Sequence, residues 1–240
     1  MYTLRLLIYF TLVFLFISGC SQPKKVYVQS DLLQVNNLIE KDTSIQALIL
    51  PYKDSLREEM SRVISYASDD FTANRPEGSL GNFMVDFTLD YVVNSPFYDP
   101  LNQYVCIMNQ GGLRAPINKG EVKVEDIYKL MPFDNTIVLL KTSKATMDSI
   151  HKYINNSGGE PIAGFKIDRD NIYLTSDEKL KDTITIITSN YLASGGDNMS
   201  FLKHAYSQTK TGILLRDLLI EKVEAKDTIH PVIDQRIKLN

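Results

Sequence analysis

Three polar loops contain the side chains of this sequence that are best suited to bind a ligand. They span Asn109–Arg114, Pro132–Asn135 and Asn190–Asp197, and two of them contain a glycine pair. Paired glycines let backbone approach a ligand closely, and Arg114 can hold an anionic group in a bidentate fork. Aromatic residues in these loops can stack on a planar ring. Together the loops indicate a site for a flat ligand with an anionic group.

Each of these signals is weak when it is taken alone. A glycine pair more often forms a tight turn, a phenylalanine such as Phe133 more often packs in a core, and an arginine such as Arg114 more often forms a surface ion pair. The order in which the loops follow one another therefore carries more information than any single residue.

Apolar segments next to the loops predict the elements that position them. Short apolar runs bounded by turn residues predict buried strands, and apolar residues at intervals of three or four predict amphipathic helices. The predicted strands include Tyr104–Met108, Thr136–Thr142 and Thr183–Thr188. The predicted helices include one or two over Thr43–Tyr66, with Pro51 in a kink or near a first turn, and also Leu80–Val93 with Ser79 as N-cap, Lys144–Ile154 and Thr211–Val223.

The predicted helices and strands interleave along the chain. This pattern predicts a single mixed α/β or α+β domain in which helices pack on a mixed β-sheet. No Gly-x-Gly-x-x-Gly turn follows a predicted strand, so a dinucleotide-binding fold is disfavoured.

The loop motifs, taken in order, resemble the C-terminal, nucleotide-binding domain of the 5'-nucleotidase family. That domain is marked by an Asn-x-Gly-Gly-[Ile/Leu]-Arg loop, a Pro-Phe-x-Asn stretch and an Asn-[Tyr/Phe]-x-x-x-Gly-Gly-Asp loop. Leu80-Gly81-Asn82 is similar to the family's Gly-Asn helix start, and Ile233–Ile237 is similar to its closing Gly-Arg-Ile segment. The resemblance extends from about Thr43 to the end of the chain.

The resemblance implies a nucleoside or nucleotide ligand whose base lies between Phe133 and Tyr191. It places Asp197 at the ribose hydroxyls, Asn109 at the base and Arg114 at the phosphate. The remaining residues that it assigns to the site are Gly111, Gly112, Asn135, Gly195 and Gly196, together with Arg75 as a second phosphate-facing arginine. Pro76 and the spacing around Arg75 depart from the family pattern. Stacking contributes about 1–3 kcal/mol per base, so the polar contacts must supply much of the affinity.

In the 5'-nucleotidase family a separate N-terminal domain supplies two metal ions, and this chain lacks the corresponding motifs. Its three histidines, His151, His204 and His230, are far apart and none belongs to an Asp-x-His or Gly-Asn-His-Glu motif. We therefore expect no catalytic residue and no metal in this chain, with divalent metals only on a partner metallophosphatase.

Two functional hypotheses follow, and a third is weaker. The first is a split phosphohydrolase of nucleotide catabolism, in which this chain holds the nucleotide and a separately encoded metallophosphatase cleaves the phosphate. The second is a binding module that captures nucleotides or nucleosides without hydrolysing them. The third is an interaction scaffold with a decayed pocket, and the retention of both aromatic residues and Asp197 argues against it.

The N-terminus predicts export and lipid attachment. The apolar run Leu6–Ile17 is shorter than the roughly 20 residues that span a bilayer, and it is followed by Ser18-Gly19-Cys20, which matches a bacterial lipobox. An ordinary secretory signal cleaved near the same position is the alternative. We expect a signal peptide over residues 1–19, a lipidated Cys20 with a tether over 20–42, and the folded domain over 43–240. This organisation predicts a membrane-anchored lipoprotein of the bacterial cell envelope, at the outer membrane or facing the periplasm.

The charge distribution disfavours one class of partner. The chain has 26 Lys and Arg residues against 29 Asp and Glu residues, which gives a formal net charge of −3, and it has no basic tract. Nucleic-acid binding depends on clustered positive charge, so we expect no nucleic-acid partner.

Overall fold

The computed structural model of the protein describes residues 42–239. The predicted signal peptide, Cys20 and nearly all of the predicted tether lie outside the described residues. The chain divides into two units, Met1–Leu48 and Ile49–Asn240. The first unit is described only over residues 42–48, of which 43–48 are helical.

Six α-helices lie in the described part of the chain. They are α1 (Thr43–Ser61), α2 (Ser79–Val93), α3 (Val124–Leu130), α4 (Ala145–Ser157), α5 (Asn190–Ala193) and α6 (Leu215–Glu224). Three short 3₁₀ helices occupy Gln110–Gly112, Gly196–Asn198 and Ser200–His204. Within residues 42–239, no helix combines the length and the apolar character needed to cross a bilayer.

The first helix ends earlier than its apolar spacing predicts. The spacing predicts helix as far as Tyr66, but α1 ends at Ser61 and strand β1 spans Val63–Ala67. In β1, Val63 and Tyr66 are exposed and the other three residues are buried, and the strand pairs with β3 (Gly120–Lys123). Val63 and Ile64 are β-branched and fit a strand as well as a helix, so a partner strand distant in sequence decides the outcome. Pro51 lies inside α1.

Helix α2 covers the core but is not capped as the sequence predicts. The sequence predicts Ser79 as the N-cap, whereas Gly78 occupies that position and Ser79 is the first helical residue. The Ser79 hydroxyl instead accepts a hydrogen bond from the Thr72 backbone N–H at 3.0 Å. Leu80 and Met84 of this helix are buried in the core.

Eleven strands of the described chain form three sheets. Besides β1 and β3, they are β2 (Tyr104–Ile107), β4 (Thr136–Ser143), β5 (Ile162–Ala163), β6 (Phe165–Asp168), β7 (Asn171–Leu174), β8 (Thr183–Ser189), β9 (Ser207–Leu214), β10 (Thr228–Ile229) and β11 (Ile237–Lys238). The first sheet has the order β10-β1-β3, the second β11-β6-β7, and the third β5-β2-β8-β4-β9. The fold is therefore mixed α/β, as the sequence predicts, although its strands are divided among three sheets.

The five-stranded sheet brings three loops to one edge. β2 and β8 are parallel, so the loops that follow them leave from the same end of the sheet. β4 is antiparallel to β8, and Ile137 near its start pairs with Ser189 at the end of β8. The loop before β4 therefore meets the loops after β2 and β8.

The segment before the last helix is a strand and not a helix. The sequence predicts a helix from Thr211, but α6 begins at Leu215 and Ser207–Leu214 forms β9 along β4. Gly212 lies in this strand with a φ of +75°, where a register shift between β4 and β9 interrupts the regular pairing. The β-branched threonines of this segment favour a strand once β4 offers a partner.

Candidate functional site

One cavity of about 360 Å³ lies at the edge of the sheet where the three loops meet. Eight of the eleven residues that the resemblance assigns to the site line this cavity. They are Asn109, Gly111, Gly112, Arg114, Phe133, Asn135, Tyr191 and Asp197. Residues separated by up to 88 positions in sequence are thus brought into one concave site.

The first loop turns tightly after β2. Gln110–Gly112 form one turn of 3₁₀ helix, and the Gly112 N–H donates to the Asn109 carbonyl at 3.1 Å. A Cβ at Gly112 would lie 3.0 Å from the Asn109 side-chain oxygen. Glycine at this position therefore lets the Asn109 amide fold back over the loop and face the third loop.

The second loop presents an exposed aromatic ring and a cation. Phe133 is 41% exposed, and the Arg114 guanidinium carbon lies 5.7 Å from the centre of its ring. The Thr136 N–H donates to the Asn190 side-chain oxygen at 3.0 Å, which joins the start of β4 to the third loop. An exposed phenylalanine ring beside an arginine offers a surface for a planar group and a charge for an anion.

The third loop is held by local hydrogen bonds and by glycine. The Ser189 hydroxyl accepts from the Leu192 N–H at 3.1 Å and so caps helix α5. A Cβ at Gly196 would lie 2.5 Å from the Tyr191 ring, so only glycine lets the ring lie against this loop. Tyr191 is 45% exposed and lines the cavity.

The Asp197 carboxylate connects the third loop to the first. Its Oδ1 accepts from the Tyr191 hydroxyl at 2.7 Å and its Oδ2 accepts from Asn109 Nδ2 at 2.6 Å. Asp197 has a φ of +48°, a left-handed conformation that aspartate tolerates better than most residues. Each carboxylate oxygen has a second lone pair, so the fixed carboxylate can still accept hydrogen bonds from a ligand.

Two tyrosine hydroxyls at the site are stabilised in the protonated form. The hydrogen bond to Asp197 raises the pKa of Tyr191 above its ordinary value, and the Asp197 charge adds to this. Burial raises the pKa of Tyr153, and the charges of Glu160 and Asp197 contribute further. Both tyrosines are therefore hydrogen-bond donors across the physiological pH range.

Three of the assigned residues do not line the cavity. The Arg75 guanidinium pairs with Glu160 at 3.1 Å and donates to the Ser157 carbonyl at 2.7 Å. Gly195 and Gly196 determine the backbone conformation of the third loop. Gly195 has a φ of +89°, and Gly196 lies against the Tyr191 ring. These two glycines act through the loop backbone.

Two neighbours of the cavity are not evident from the sequence. The Tyr153 hydroxyl on α4 donates to the Asp197 carbonyl at 2.8 Å, and Glu160 accepts from the Gln110 N–H at 2.6 Å. In the sequence Tyr153 belongs to an amphipathic helix pattern, and Glu160 lies outside every motif. No sequence signal distinguishes either residue from an ordinary helix or loop residue.

The Gln110 side chain lies away from the cavity, and its Nε2 is 3.5 Å from the Asn74 carbonyl.

Two of the histidines have polar contacts with protein groups. His151 contacts the Arg169 carbonyl at 2.6 Å, and His230 contacts the Ser68 hydroxyl at 2.8 Å. In the part of the chain that the structure describes, no group of three or more His, Cys, Asp or Glu side chains is placed to hold a metal ion.

Comparison with known proteins finds similarity to the C-terminal part of 5'-nucleotidases. Residues 61–158 match the family model described as 5'-nucleotidase, C-terminal domain. A 5'-nucleotidase of Diplobatis ommata is 25% identical over 85% of this chain and 41% of its own length. The crystal structure of a 5'-nucleotidase precursor from Thermus thermophilus has a TM-score of 0.68 with 22% identity and covers 83% of this chain and 43% of its own. The NAD nucleotidase of Haemophilus influenzae has a TM-score of 0.64 with 16% identity and covers 83% of this chain and 41% of its own.

The relatives share the C-terminal fold with this chain, and the chain spans about two fifths of their length. The family-model match contains the first two loops of the cavity and ends before the third. Sequence, fold and motif order agree on one relationship: residues 61–158 match the C-terminal domain of the 5'-nucleotidase family, and the fold of this chain is similar to that of solved 5'-nucleotidases.

Proposed function

We propose that the cavity binds a nucleoside or nucleotide, with the base held between Phe133 and Tyr191. The observation that supports this most is that both aromatic side chains, exposed by 41% and 45%, line the same cavity as the fixed carboxylate of Asp197. A cavity of about 360 Å³ lies within the range of roughly 300–1,000 Å³ that small-molecule sites occupy.

The polar groups of the cavity suit the other parts of a nucleotide. Asp197 accepts hydrogen bonds and so matches the hydroxyls of a ribose, whereas Arg114 supplies the positive charge for a phosphate. The Asn109 amide can both donate and accept, as the edge of a base requires. Because Asn109 and Tyr191 already hold the Asp197 carboxylate in place, little ordering cost remains when a ligand binds.

Calorimetric titration with adenosine, AMP and inorganic phosphate tests this proposal. We expect Phe133→Ala and Tyr191→Ala each to weaken adenosine binding by about 5-fold to 150-fold, which corresponds to the loss of one stacking face. Tyr173→Ala is the control, because Tyr173 is 54% exposed and does not line the cavity. If neither cavity variant weakens nucleoside binding, the assignment is wrong.

We further propose that this chain is the nucleotide-binding half of a split phosphohydrolase. Phosphate ester cleavage of this kind uses two metal ions about 3.5–4 Å apart, which a separately encoded metallophosphatase would supply. The alternative is a binding module that captures nucleotides without cleaving them. Release of phosphate from AMP only when the metallophosphatase is added would support the split enzyme. Release by this chain alone with divalent metal would contradict it.

We also propose that the protein is a lipoprotein of the bacterial cell envelope, attached through Cys20. The support is the lipobox Ile17-Ser18-Gly19-Cys20 after an apolar run. Mass spectrometry of the N-terminal peptide should find a lipid-modified Cys20, and Cys20→Ser should move the protein to the soluble fraction. An unmodified Cys20 in the mature chain would refute this attachment.

A further inference from the structure

Glu160 has a buried carboxylate that binds the backbone of the first cavity loop but does not line the cavity. It is 4% exposed, and its Oε2 accepts from the Gln110 backbone N–H at 2.6 Å. Gln110 begins the 3₁₀ turn that carries Gly111 and Gly112. A short hydrogen bond to a buried carboxylate is stronger than one between neutral groups, so Glu160 fixes the start of this turn.

Arg75 completes the contact and connects it to a helix. Its guanidinium pairs with Glu160 Oε1 at 3.1 Å and donates to the carbonyls of Ser157 and Gly159. Ser157 is the last residue of α4, where unpaired carbonyls favour a cation. The Glu160–Arg75 pair therefore joins the turn at Gln110 to the C-terminal end of α4.

The same helix reaches the opposite loop of the cavity. Tyr153 of α4 donates from its hydroxyl to the Asp197 carbonyl at 2.8 Å. The Asn109 amide of the first loop donates directly to the Asp197 carboxylate at 2.6 Å, and both residues line the cavity. The separation of these two ligand-facing groups thus depends on two contacts from α4, one through Tyr153 and one through Glu160.

We propose that Glu160 is a positioning residue for the ligand of this cavity. Together with Arg75 it holds the Asn109–Gly112 loop at the distance from Asp197 that the ligand requires. The proposal rests on the proposed function, because it assumes that the cavity binds a nucleoside. It also assigns Arg75 to this pair, which leaves Arg114 as the cation that meets the phosphate.

Glu160→Gln tests the proposal with little change in shape. The amide retains an acceptor for the Gln110 N–H but removes the charge that pairs with Arg75. We expect the dissociation constants of adenosine and AMP to rise together by about 5-fold to 10-fold, because one charged contact is weakened and Arg114 is untouched. The amide proton of Gln110 should move upfield in the ligand-free protein, since a neutral amide oxygen replaces the carboxylate as its acceptor and the hydrogen bond weakens.

Glu77→Gln is the matched control. The Glu77 side chain is 6% exposed, accepts from the Asp234 N–H at 3.0 Å and lies 3.9 Å from the Arg236 guanidinium. It therefore resembles Glu160 in burial, in its backbone contact and in its arginine partner, but the backbone that it contacts, at Asp234, belongs to none of the three cavity loops. We expect Glu77→Gln to lower the unfolding temperature without changing adenosine binding or the Gln110 amide resonance.

The outcomes separate the two proposals. If the unaltered protein binds adenosine and Glu160→Gln binds it equally well, the positioning role is refuted and the nucleoside site stands. Equal weakening by Glu160→Gln and Glu77→Gln would also refute it, because the loss would then reflect general destabilisation. If the unaltered protein binds no nucleoside, the proposed function fails and this role fails with it. Should Glu160→Gln not fold, Arg75→Lys should weaken binding in the same direction, and unchanged binding would refute the role.

Discussion

Replacing Gly196 by alanine should weaken nucleoside binding by displacing Tyr191. An added Cβ would lie 2.5 Å from the Cε1 and Cζ atoms of the Tyr191 ring. Carbon atoms in favourable contact are about 3.5–4.0 Å apart, so the ring must move by about 1 Å or more. The movement also strains the 2.7 Å hydrogen bond from the Tyr191 hydroxyl to Asp197.

The size of the effect follows from the contacts that are lost. A displaced ring forfeits much of one stacking face, about 1–3 kcal/mol, which corresponds to a rise of about 5-fold to 150-fold in the dissociation constant of adenosine. The cost to folding should be small, because Tyr191 is 45% exposed and can turn outward. Gly196 has no left-handed φ, so alanine adds no backbone strain there.

A double-mutant cycle with Tyr191→Ala checks the reasoning. Calorimetry with adenosine would be performed on Gly196→Ala, on Tyr191→Ala and on the double variant. Without the Tyr191 ring the added methyl has nothing to displace, so Gly196→Ala should have no further effect in that background. Additive losses in the cycle would show that the methyl acts elsewhere, and unchanged binding in the single variant would refute a stacking role for Tyr191.

Three further predictions concern charge and protonation. Arg114→Met should weaken AMP binding by about 10-fold to 150-fold while leaving adenosine binding nearly unchanged, as measured by calorimetry; equal losses for both ligands would refute a phosphate contact. Because the pKa of Tyr191 is raised on folding, the Tyr191 bond should contribute stability below the ordinary tyrosine pKa of about 10 and lose it as pH rises through the higher folded pKa. Asp197→Asn should lower the Tyr191 pKa in an NMR titration of labelled tyrosine, and an unchanged titration would contradict the contact. Burial raises the pKa of the Cys106 thiol, so Cys106 should react with a thiol reagent only after unfolding, and rapid labelling of the native protein would show that it is accessible.

Motif order predicted which side chains lie together better than periodicity predicted where the helices and strands begin and end. Side chains from three separate loops line one cavity. They are Asn109 and Arg114 of the first loop, Phe133 of the second, and Tyr191 and Asp197 of the third. Each loop is a weak signal when it is taken alone, and the order of the three motifs along the chain supplied the information that the single residues lack. Whether they bind a nucleotide is still a prediction.

Elements that depend on distant partners could not be read in the same way. The β-branched residues of Val63–Ala67 and Ser207–Leu214 form strands because β3 and β4 lie beside them. Local spacing fits helix and strand alike at such segments, so the long-range pairing decides. The roles of Tyr153 and Glu160 were hidden for a related reason, since both depend on where α4 ends relative to two loops.

The pairing of β4 with β8 has a consequence for how the site can move. The two strands are joined by an unbroken ladder from Ile137 and Ser189 to Ser143 and Thr183, and most of its residues are buried. Phe133 precedes β4 and Tyr191 follows β8, so both loops are attached to the same pair of strands. The gap between the two rings therefore cannot widen by the separation of two domains. A ligand can therefore enter and leave without separation of β4 from β8. We expect ligand association and dissociation to be fast compared with any opening of the central sheet.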